Sequence, residues 1–332
     1  MQTNFPLKDY NTFHFDVKAA WYDTIENPQN LKEKILNDEL QTERILILGE
    51  GSNVLFREDF SGLILHPVEQ RIDVVEDNEA DVLIKVSAGY NWDEFVDWTV
   101  QNGYFGLENL SLIPGQVGAA PIQNIGAYGV EVKDFIESVQ GFYLDTGEDF
   151  LLPAEACQFD YRDSVFKKEL RGKVFISDVH FRLSKAAQPE LRYGNITEQL
   201  AGREPTPELV REIVMDIRNR KLPDPKATGN AGSFFENPVV SKAQFEIIKQ
   251  DYPDVKSYPA DDMIKIPAGW LIEKAGWKAY RVGDAGVHPS QALVLVNYGM
   301  AGPDEILKLA EQIREDIQYK FGIELEMEVR II

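Results

Sequence analysis

Residues 113–129 form the most unusual segment of this chain, with four glycines and no charged residue. The apolar residues in this segment follow neither the 3.6-residue period of a helix nor the alternation of a strand. Glycine adopts backbone angles that other residues resist, and it lets another group come close to the chain. The segment therefore predicts a loop whose backbone N–H groups face a bulky anion such as a pyrophosphate. A long structural loop is the alternative.

A second glycine-containing segment, residues 49–55, lies between two short apolar runs that predict buried strands, residues 44–49 and 62–65. It opens with Gly-Glu-Gly, as a dinucleotide-binding motif can. However, Val54 stands where that motif has its third glycine, and no helical pattern follows. The segment therefore predicts a different phosphate loop, one that joins two strands.

Charge and cysteine content narrow the classes of function. The net charge of −21 argues against a nucleic-acid or anionic-membrane partner, because phosphate binding needs a basic footprint. Cys157 is the only cysteine, so an intramolecular disulfide is excluded, and we read this residue as an ordinary core or surface residue. Neither a secretory signal nor an apolar run of membrane-spanning length is visible, and we expect a cytoplasmic protein.

The remaining pattern predicts mixed α and β structure. Before residue 203 we predict a hairpin (residues 72–75 and 82–86), a helix from Trp92 that stops at Gly103, a second hairpin (139–144 and 150–152) and a half-buried strand (174–183). The composition changes near residue 203. After it we predict one helix that begins at Pro207 with Thr206 as its cap, and a second that begins at Ser241 with Gln244 completing a capping box. A third helix is predicted at residues 304–320. Strands are predicted near residues 270–272 and 292–296 and, from strict alternation, at residues 324–332.

Three polar side chains are candidates for chemistry. Ser233 follows a small-residue turn without the Gly-x-Ser-x-Gly context of a hydrolase, so it is either a turn residue or a donor to a strongly basic carbon. Arg162 can bind a carboxylate through two parallel hydrogen bonds, or form a structural ion pair with Asp163 or another acid. Glu328 lies on the polar face of the predicted last strand, where a solvated position is the simpler interpretation.

Other candidate sites depend on clusters of residues. Arg218, Arg220, Lys221 and Lys226 are grouped against Asp224 alone, which indicates either a helix end with favourable cations or a clamp for a phosphate-bearing substrate. The four histidines, His14, His66, His180 and His288, have no metal-ligand spacing, so we predict no metal site.

Taken in order, these motifs resemble the UDP-N-acetylenolpyruvoylglucosamine reductase family over essentially the whole chain. The matching segments are residues 11–13, 48–55, 106–110, 113–129, 161–164, 221–225, 229–238, 268–272 and 326–330. Tyr193 resembles the substrate-loop tyrosine of the family's longer type. At position 327 the chain has Met where related sequences often have proline, and it ends four residues after Glu328, so we expect a slightly different backbone and some fraying there.

The resemblance implies an α+β fold in which a noncovalent FAD-binding part of the vanillyl-alcohol-oxidase/PCMH type precedes a separate C-terminal substrate-binding domain. It implies FAD-binding subdomains at residues 1–68 and 69–203, the second joined by residues 324–332, and a substrate-binding domain at residues 204–323. The implied FAD-binding residues are Gly49, Glu50, Gly51, Ser52, Asn53, Val54, Ile113, Pro114, Gly115, Gly118, Gln123, Asn124, Gly126 and Gly129.

The implied activity is the NADPH-dependent reduction of UDP-N-acetylglucosamine enolpyruvate to UDP-N-acetylmuramate, for peptidoglycan precursors, by a monomer. Ser233 would donate the proton, while Arg162 and Glu328 would stabilise the enolate-like intermediate. The substrate would be bound by Tyr161, Tyr193, Arg218, Lys221, Asn237 and Gln291. Two alternatives stay open: a flavin oxidase on the same fold, and a noncatalytic nucleotide-sugar-binding module.

Overall fold

A computed structural model describes residues 1–40, 42, 44–193 and 195–332. The chain divides into two compact units. The first unit consists of Met1–Phe5, Ala19–Glu50 and Ser61–Arg218. The second unit consists of Pro6–Lys18, Gly51–Phe60 and Asn219–Ile332. Each unit therefore combines segments that are distant in sequence, and the division into three domains that the resemblance implies stays a prediction.

Within the described residues there are seven α-helices and twenty strands. The helices are α1 Pro28–Leu36, α2 Trp92–Gln101, α3 Ile196–Leu200, α4 Pro207–Lys221, α5 Lys242–Asp251, α6 Ala268–Ala275 and α7 Pro303–Phe321. The strands of the first half are β1 Gln2–Pro6, β2 Lys18–Ile25, β3 Ile45–Ile47, β4 Val54–Leu55, β5 Phe60–Pro67, β6 Ile72–Asp77, β7 Asp81–Ser87, β8 Gly126–Ala127, β9 Val130–Glu131, β10 Ile136–Tyr143 and β11 Asp149–Pro153. The later strands are β12 Val174–Ser184, β13 Gly229–Ser233, β14 Val239–Val240, β15 Tyr258–Ala260, β16 Met263–Lys265, β17 Arg281–Val282, β18 Ala285–Val287, β19 Val294–Asn297 and β20 Arg330–Ile331.

The first unit is built on two sheets. One has the strand order β1-β2-β5-β3, with β3 parallel to β5. The other is antiparallel, in the order β11-β10-β12-β7-β6. Helix α2 contributes Trp92, Phe95 and Val96 to the core of this second sheet, at the i, i+3, i+4 spacing of one helical face. Asn91 caps the helix by accepting the N–H of Glu94 at 3.0 Å.

The second unit has a four-stranded antiparallel sheet in the order β13-β19-β18-β17 and a three-stranded sheet in the order β14-β16-β15. Helix α7 buries Ile306, Ala310, Ile313 and Ile317, a spacing of three to four residues. The parallel pair β20-β4 completes the strand pairing of this unit. Ser233 and the carboxyl-terminal residues therefore belong to one compact body.

Most predicted elements are confirmed, including the hairpins β6-β7 and β10-β11, the helices α2, α4 and α7, and the cap of α4 by Thr206. The strand predicted near residues 270–272 is wrong, because these residues lie in α6, where Ala268, Leu271 and Ile272 form one buried helical face.

Three further predictions need correction. Strand β12 is buried on nearly every residue up to Val179, because it lies at the centre of its sheet. Gln244 completes only half of the capping box: its N–H binds Ser241, but its side chain donates to the carbonyl of Gly322. The last nine residues form a regular strand only at Arg330–Ile331, with an isolated bridge at Met327.

Candidate functional site

Glu50 binds the start of the glycine segment 113–129. One carboxylate oxygen of Glu50 accepts the backbone N–H of Gly115 at 2.9 Å, and the other accepts the side-chain amide of Asn91 at 2.5 Å. Gly49 lies so close to Gln116 that a Cβ there would be 3.0 Å from its amide oxygen. Within the first unit, Gly49 and Glu50 therefore contact the start of the glycine segment, although Glu50 and Gly115 are 65 residues apart in the sequence.

The start of the glycine segment is held against the scaffold on its backbone atoms. The carbonyl of Gly115, whose φ is +135°, accepts the N–H of Trp92 at 2.9 Å. The N–H of Gly118 donates to the carbonyl of Ala88 at 2.9 Å, and a Cβ at Gly118 would lie 2.5 Å from the Cβ of Ala88. Gly118 therefore has no room for a side chain, and Gly115 has a backbone angle that residues with a side chain rarely adopt.

Asn124 organises the second half of the glycine segment. This fully buried side chain donates to a carboxylate oxygen of Glu131 and to the carbonyl of Asp160, each at 2.9 Å, and accepts the N–H of Lys133 at 3.1 Å. The segment then continues into the hairpin β8-β9. A buried amide with three partners fixes a turn that has few side chains of its own.

Arg162 donates to the same hairpin. Its two terminal nitrogens bind the carbonyls of Asn124 at 3.2 Å and Gly126 at 2.6 Å. Its backbone is left-handed, with a φ of +54°, and its guanidinium lies 5.5 Å from the ring centre of Tyr161. Asp163 is paired with Lys168 instead. The structural ion pair between Arg162 and Asp163 that we considered is therefore not formed.

Arg218, near the end of α4, is half-buried and donates from Nε to the carbonyl of Leu112 at 3.2 Å. It also forms a hydrogen bond with the phenol of Tyr128. Burial lowers the pKa of Arg218 from its ordinary value and raises the pKa of Tyr128. The alternative of a freely solvated helix end does not apply to Arg218, whereas Lys221, one turn later, is exposed.

Tyr193 lies over the end of the glycine segment. Its ring is so close to Gly129 that a Cβ there would be 2.3 Å from a ring carbon, yet 39% of the tyrosine is exposed. Asn109 donates to the carbonyls of Tyr128 and Glu190 at 3.1 and 2.8 Å, which ties the tyrosine-bearing segment to this hairpin.

In the second unit, Gly51 meets the segment that follows β1. Its φ is +64°, and a Cβ on it would lie 2.1 Å from the carbonyl oxygen of Tyr10. Its own carbonyl accepts the N–H and the hydroxyl of Thr12, each at 3.2 Å. Residue 51 must therefore be glycine for the loop to lie on this segment.

Ser233 is the last residue of β13 and lies opposite Val294 of β19. The backbone beyond it pairs with the carboxyl-terminal residues: Glu328 donates its N–H to the carbonyl of Phe234, and Glu236 donates to that of Glu326, both at 2.9 Å. Glu328 is half-buried. The proton-donor candidate and the carboxylate candidate, 95 residues apart, are thus brought within one residue of register.

Asn53 joins the 49–55 loop to the same carboxyl-terminal residues. Its side chain donates to the carbonyl of Glu328 at 3.3 Å, and its carbonyl accepts the N–H of Arg330 at 3.1 Å. Strand β20 then runs parallel to β4, with Arg330 opposite Val54. The backbone of Glu328 is consequently held on both sides, by Phe234 and by Asn53.

The remaining predicted site residues occupy less distinctive positions. Asn237 accepts the N–H of Ala268 at 2.9 Å and thereby caps α6, and Gln291 accepts the N–H of Leu293 at 3.5 Å. The residues Ser52, Val54, Ile113 and Gln123 are half-buried, and Pro114 is exposed. Burial raises the pKa of Cys157 to about 12, in keeping with a structural residue.

Sequence reasoning missed three residues that hold these loops: Asn91, Asp93 and Tyr128. Asn91 could have been found, because it precedes an amphipathic run with a glutamate three residues later, as helix caps do. Nothing local pointed to Asp93 or Tyr128, whose partners are distant in sequence. Among the described residues, no group of three metal-ligating side chains occurs, and no helix is long and apolar enough to cross a membrane.

Comparison with known proteins identifies this arrangement. Residues 38–148 match the model of the FAD binding domain, and residues 224–332 match that of the UDP-N-acetylenolpyruvoylglucosamine reductase C-terminal domain. The UDP-N-acetylenolpyruvoylglucosamine reductase of Pseudomonas putida is 46% identical over 98% of this chain and 97% of its own length. That of Bacteroides fragilis is 43% identical over the full length of both.

This chain belongs to the UDP-N-acetylenolpyruvoylglucosamine reductase family. The crystal structure of the enzyme from Thermus caldophilus is similar, with a TM-score of 0.68 and 25% identity over 98% of this chain and 97% of that one. The predicted fold, an FAD-binding part followed by a separate C-terminal domain, is confirmed. So are the class of enzyme, an FAD-dependent NADPH oxidoreductase of peptidoglycan synthesis, and its cofactors.

Proposed function

We propose that this chain reduces the enolpyruvyl ether of UDP-N-acetylglucosamine enolpyruvate to the lactyl ether of UDP-N-acetylmuramate. The observation that carries the proposal is the pairing of the Ser233 segment with the Glu328 segment beside Asn53 of the 49–55 loop. A hydroxyl group and a carboxyl group on paired segments beside a glycine loop suit a reaction in which hydride and proton must arrive at adjacent carbons.

The residues that would hold FAD suit it because several of them are glycines in close contact with neighbouring residues. A Cβ at Gly51, Gly118 or Gly129 would come within 2.5 Å of another atom, so the loop backbone packs directly against those neighbours. Glycine loops of this kind let the backbone approach a pyrophosphate closely. When bound, FAD accepts hydride from NADPH and supplies it to the terminal methylene carbon of the substrate.

Ser233 is proposed to donate the proton to the neighbouring carbon. A hydroxyl group is a poor acid at neutral pH, so it can protonate only a strongly basic atom formed next to it. Hydride addition to an enol ether creates such an atom, because charge develops on the carbon that also carries the carboxylate. The serine then regains its proton from solvent.

Arg162 and Glu328 are proposed to stabilise the negative charge that develops on the substrate. Arg162 is always charged, and two of its nitrogens already rest on the carbonyls of Asn124 and Gly126, so its orientation is fixed before substrate arrives. Glu328 contributes if it shares a proton with the substrate carboxylate. Its fixed backbone on both sides favours a defined side-chain position.

The nucleotide-sugar substrate is proposed to contact six residues: Tyr161, Tyr193, Arg218, Lys221, Asn237 and Gln291. Lys221 is exposed and carries a compact positive charge that suits a diphosphate. Tyr193 keeps its ring partly exposed over Gly129. A monomeric state, a cytoplasmic location and the division into three domains are also part of the proposal.

The test is an anaerobic experiment on the two half-reactions. NADPH should bleach the yellow protein, and the enolpyruvyl nucleotide sugar should then restore the colour much faster than air does. Colour restored by oxygen as fast as by the nucleotide sugar would make the protein a flavin oxidase. A protein that binds the nucleotide sugar but retains no flavin would be a binding module, and the proposal would be wrong.

A further inference from the structure

Two acidic residues of α2, Asp93 and Asp97, share one buried arginine of α4. Arg211 is 8% exposed and donates from Nη1 to Asp93 at 2.7 Å, from Nη2 to the other oxygen of Asp93 at 3.2 Å, and from Nε to Asp97 at 3.0 Å. An arginine that is this buried is costly unless its charge is paired. The pairing therefore fixes the side chain of Asp93 in position.

Asp93 also holds a strained peptide immediately before the glycine segment. Its Oδ1 accepts the N–H of Leu112 at 2.5 Å. Leu112 has a φ of +59°, a left-handed conformation that is unfavourable for a residue with a Cβ. Such a conformation persists only where surrounding contacts impose it. The contact from Asp93 is one that does so.

The backbone carbonyl of Leu112 binds Arg218. The carbonyl of Leu112 accepts Nε of Arg218 at 3.2 Å. Arg211 and Arg218 are seven residues apart on α4, which places them on the same helix face about 10 Å apart. The N–H of Leu112 is therefore bound by the carboxylate of Asp93, which Arg211 holds in place. The C=O of Leu112 is bound by Arg218.

We infer that Asp93 is a positioning residue for Arg218 in nucleotide-sugar binding, acting through the backbone of Leu112 and held in place by Arg211. This inference rests on the proposed role of Arg218 as a substrate-binding residue. With the Leu112 carbonyl fixed, Nε of Arg218 is fixed, and the guanidinium plane has a defined direction before substrate binds. Preorganisation of a planar donor group lowers the cost of binding an anion.

The test compares Asp93→Asn with Asp97→Asn. Asparagine has the shape of aspartate but no charge and only one acceptor oxygen. At position 93 its single oxygen must hold both the Leu112 N–H and Nη1 of Arg211, while its NH2 group faces Nη2, so the hold on both partners weakens. At position 97 the same change weakens the hold on Arg211 but leaves Leu112 untouched. Asp97→Asn is therefore a matched control on the same helix and the same arginine.

We expect Asp93→Asn to raise the KM for the enolpyruvyl nucleotide sugar about tenfold, with kcat within about twofold of wild type. Flavin content and the rate of anaerobic bleaching by NADPH should not change. Asp97→Asn should change the KM by less than about twofold. A structural defect would lower flavin content and both half-reactions together, and that result, or an equal rise in KM for Asp97→Asn, would overturn the inference.

Arg218→Lys separates this inference from the proposed function. We expect it to raise the KM, and the double variant Asp93→Asn/Arg218→Lys to show much less than the product of the two single effects. If Arg218→Lys leaves the KM unchanged, the substrate role of Arg218 is wrong and the inference fails with it. If Arg218→Lys raises the KM but Asp93→Asn does not, or if the two effects multiply, only the positioning role is wrong.

Discussion

The glycine segment of the first unit and the pairing of the Ser233 and Glu328 segments in the second unit are held in different ways. In residues 113–129, polar side chains add to the backbone contacts: Glu50 binds Gly115, Asn124 fixes the turn, and Arg162 binds the carbonyl of Gly126. Around Glu328 it is mainly backbone that holds backbone, through Phe234 and Glu236. The stability of the first region should therefore fall when single polar side chains are removed. In the second region, removal of the reacting side chains should lower activity but change stability little.

The largest effect on activity is expected at Ser233, the proposed proton donor in the second region. Ser233→Ala should lower substrate reduction about 10²–10⁴-fold, the usual contribution of a positioned proton donor. Because the serine backbone, not its hydroxyl, pairs with Val294, the melting temperature should be nearly unchanged. Rapid mixing of the NADPH-reduced variant with substrate measures the step. Recolouring at the wild-type rate would contradict the role of Ser233.

A stability effect of the next size is expected in the first region. Asn124→Ala should lower the free energy of unfolding by about 2–4 kcal/mol, because it removes the three hydrogen bonds of a fully buried side chain and places alanine at a φ of +43°. Denaturant unfolding measures this. Asn30→Leu on the exposed face of α1 is the control and should cost less than about 0.5 kcal/mol. Equal losses would show that the hydrogen bonds of Asn124 do not stabilise the glycine segment.

Lys221→Ala tests an exposed side chain that lies outside both regions. Because Lys221 is exposed, we expect little change in unfolding, but about a tenfold weaker binding of the nucleotide sugar from loss of one charge-assisted contact. Calorimetric titration with the nucleotide sugar, alongside a flavin-release assay, measures both ligands. If FAD binding weakens as much as substrate binding, Lys221 does not act on the substrate.

The smallest effect is expected at Met327. In its bridge with Phe235 the donors are the N–H groups of Glu236 and Glu328, so the N–H of residue 327 is not needed there. Met327→Pro should therefore change the free energy of unfolding by less than about 1 kcal/mol and leave turnover near wild type. A large loss of stability or of turnover would show that the pairing of Phe235 with Met327 does not tolerate proline at position 327.

The elements were largely predictable because their signals are local. The four glycines of residues 113–129, the apolar face of α2 and the Thr206 cap of α4 each follow from neighbouring residues. The error at residues 270–272 has the same cause, because three apolar residues are too short a window to separate strand from helix, and buried contacts decided for α6.

The sequence by itself determined that two glycine loops and a serine followed by two aromatic residues are the unusual features of this chain, since these depend on residue types alone. Only the tertiary structure decided which partners they have. It placed Glu50 on Gly115, Glu328 on Phe234 and Asp93 on Leu112, pairs separated by 65, 94 and 19 residues. Such contacts depend on how distant strands and helices pack, and nothing in the neighbouring sequence encodes them.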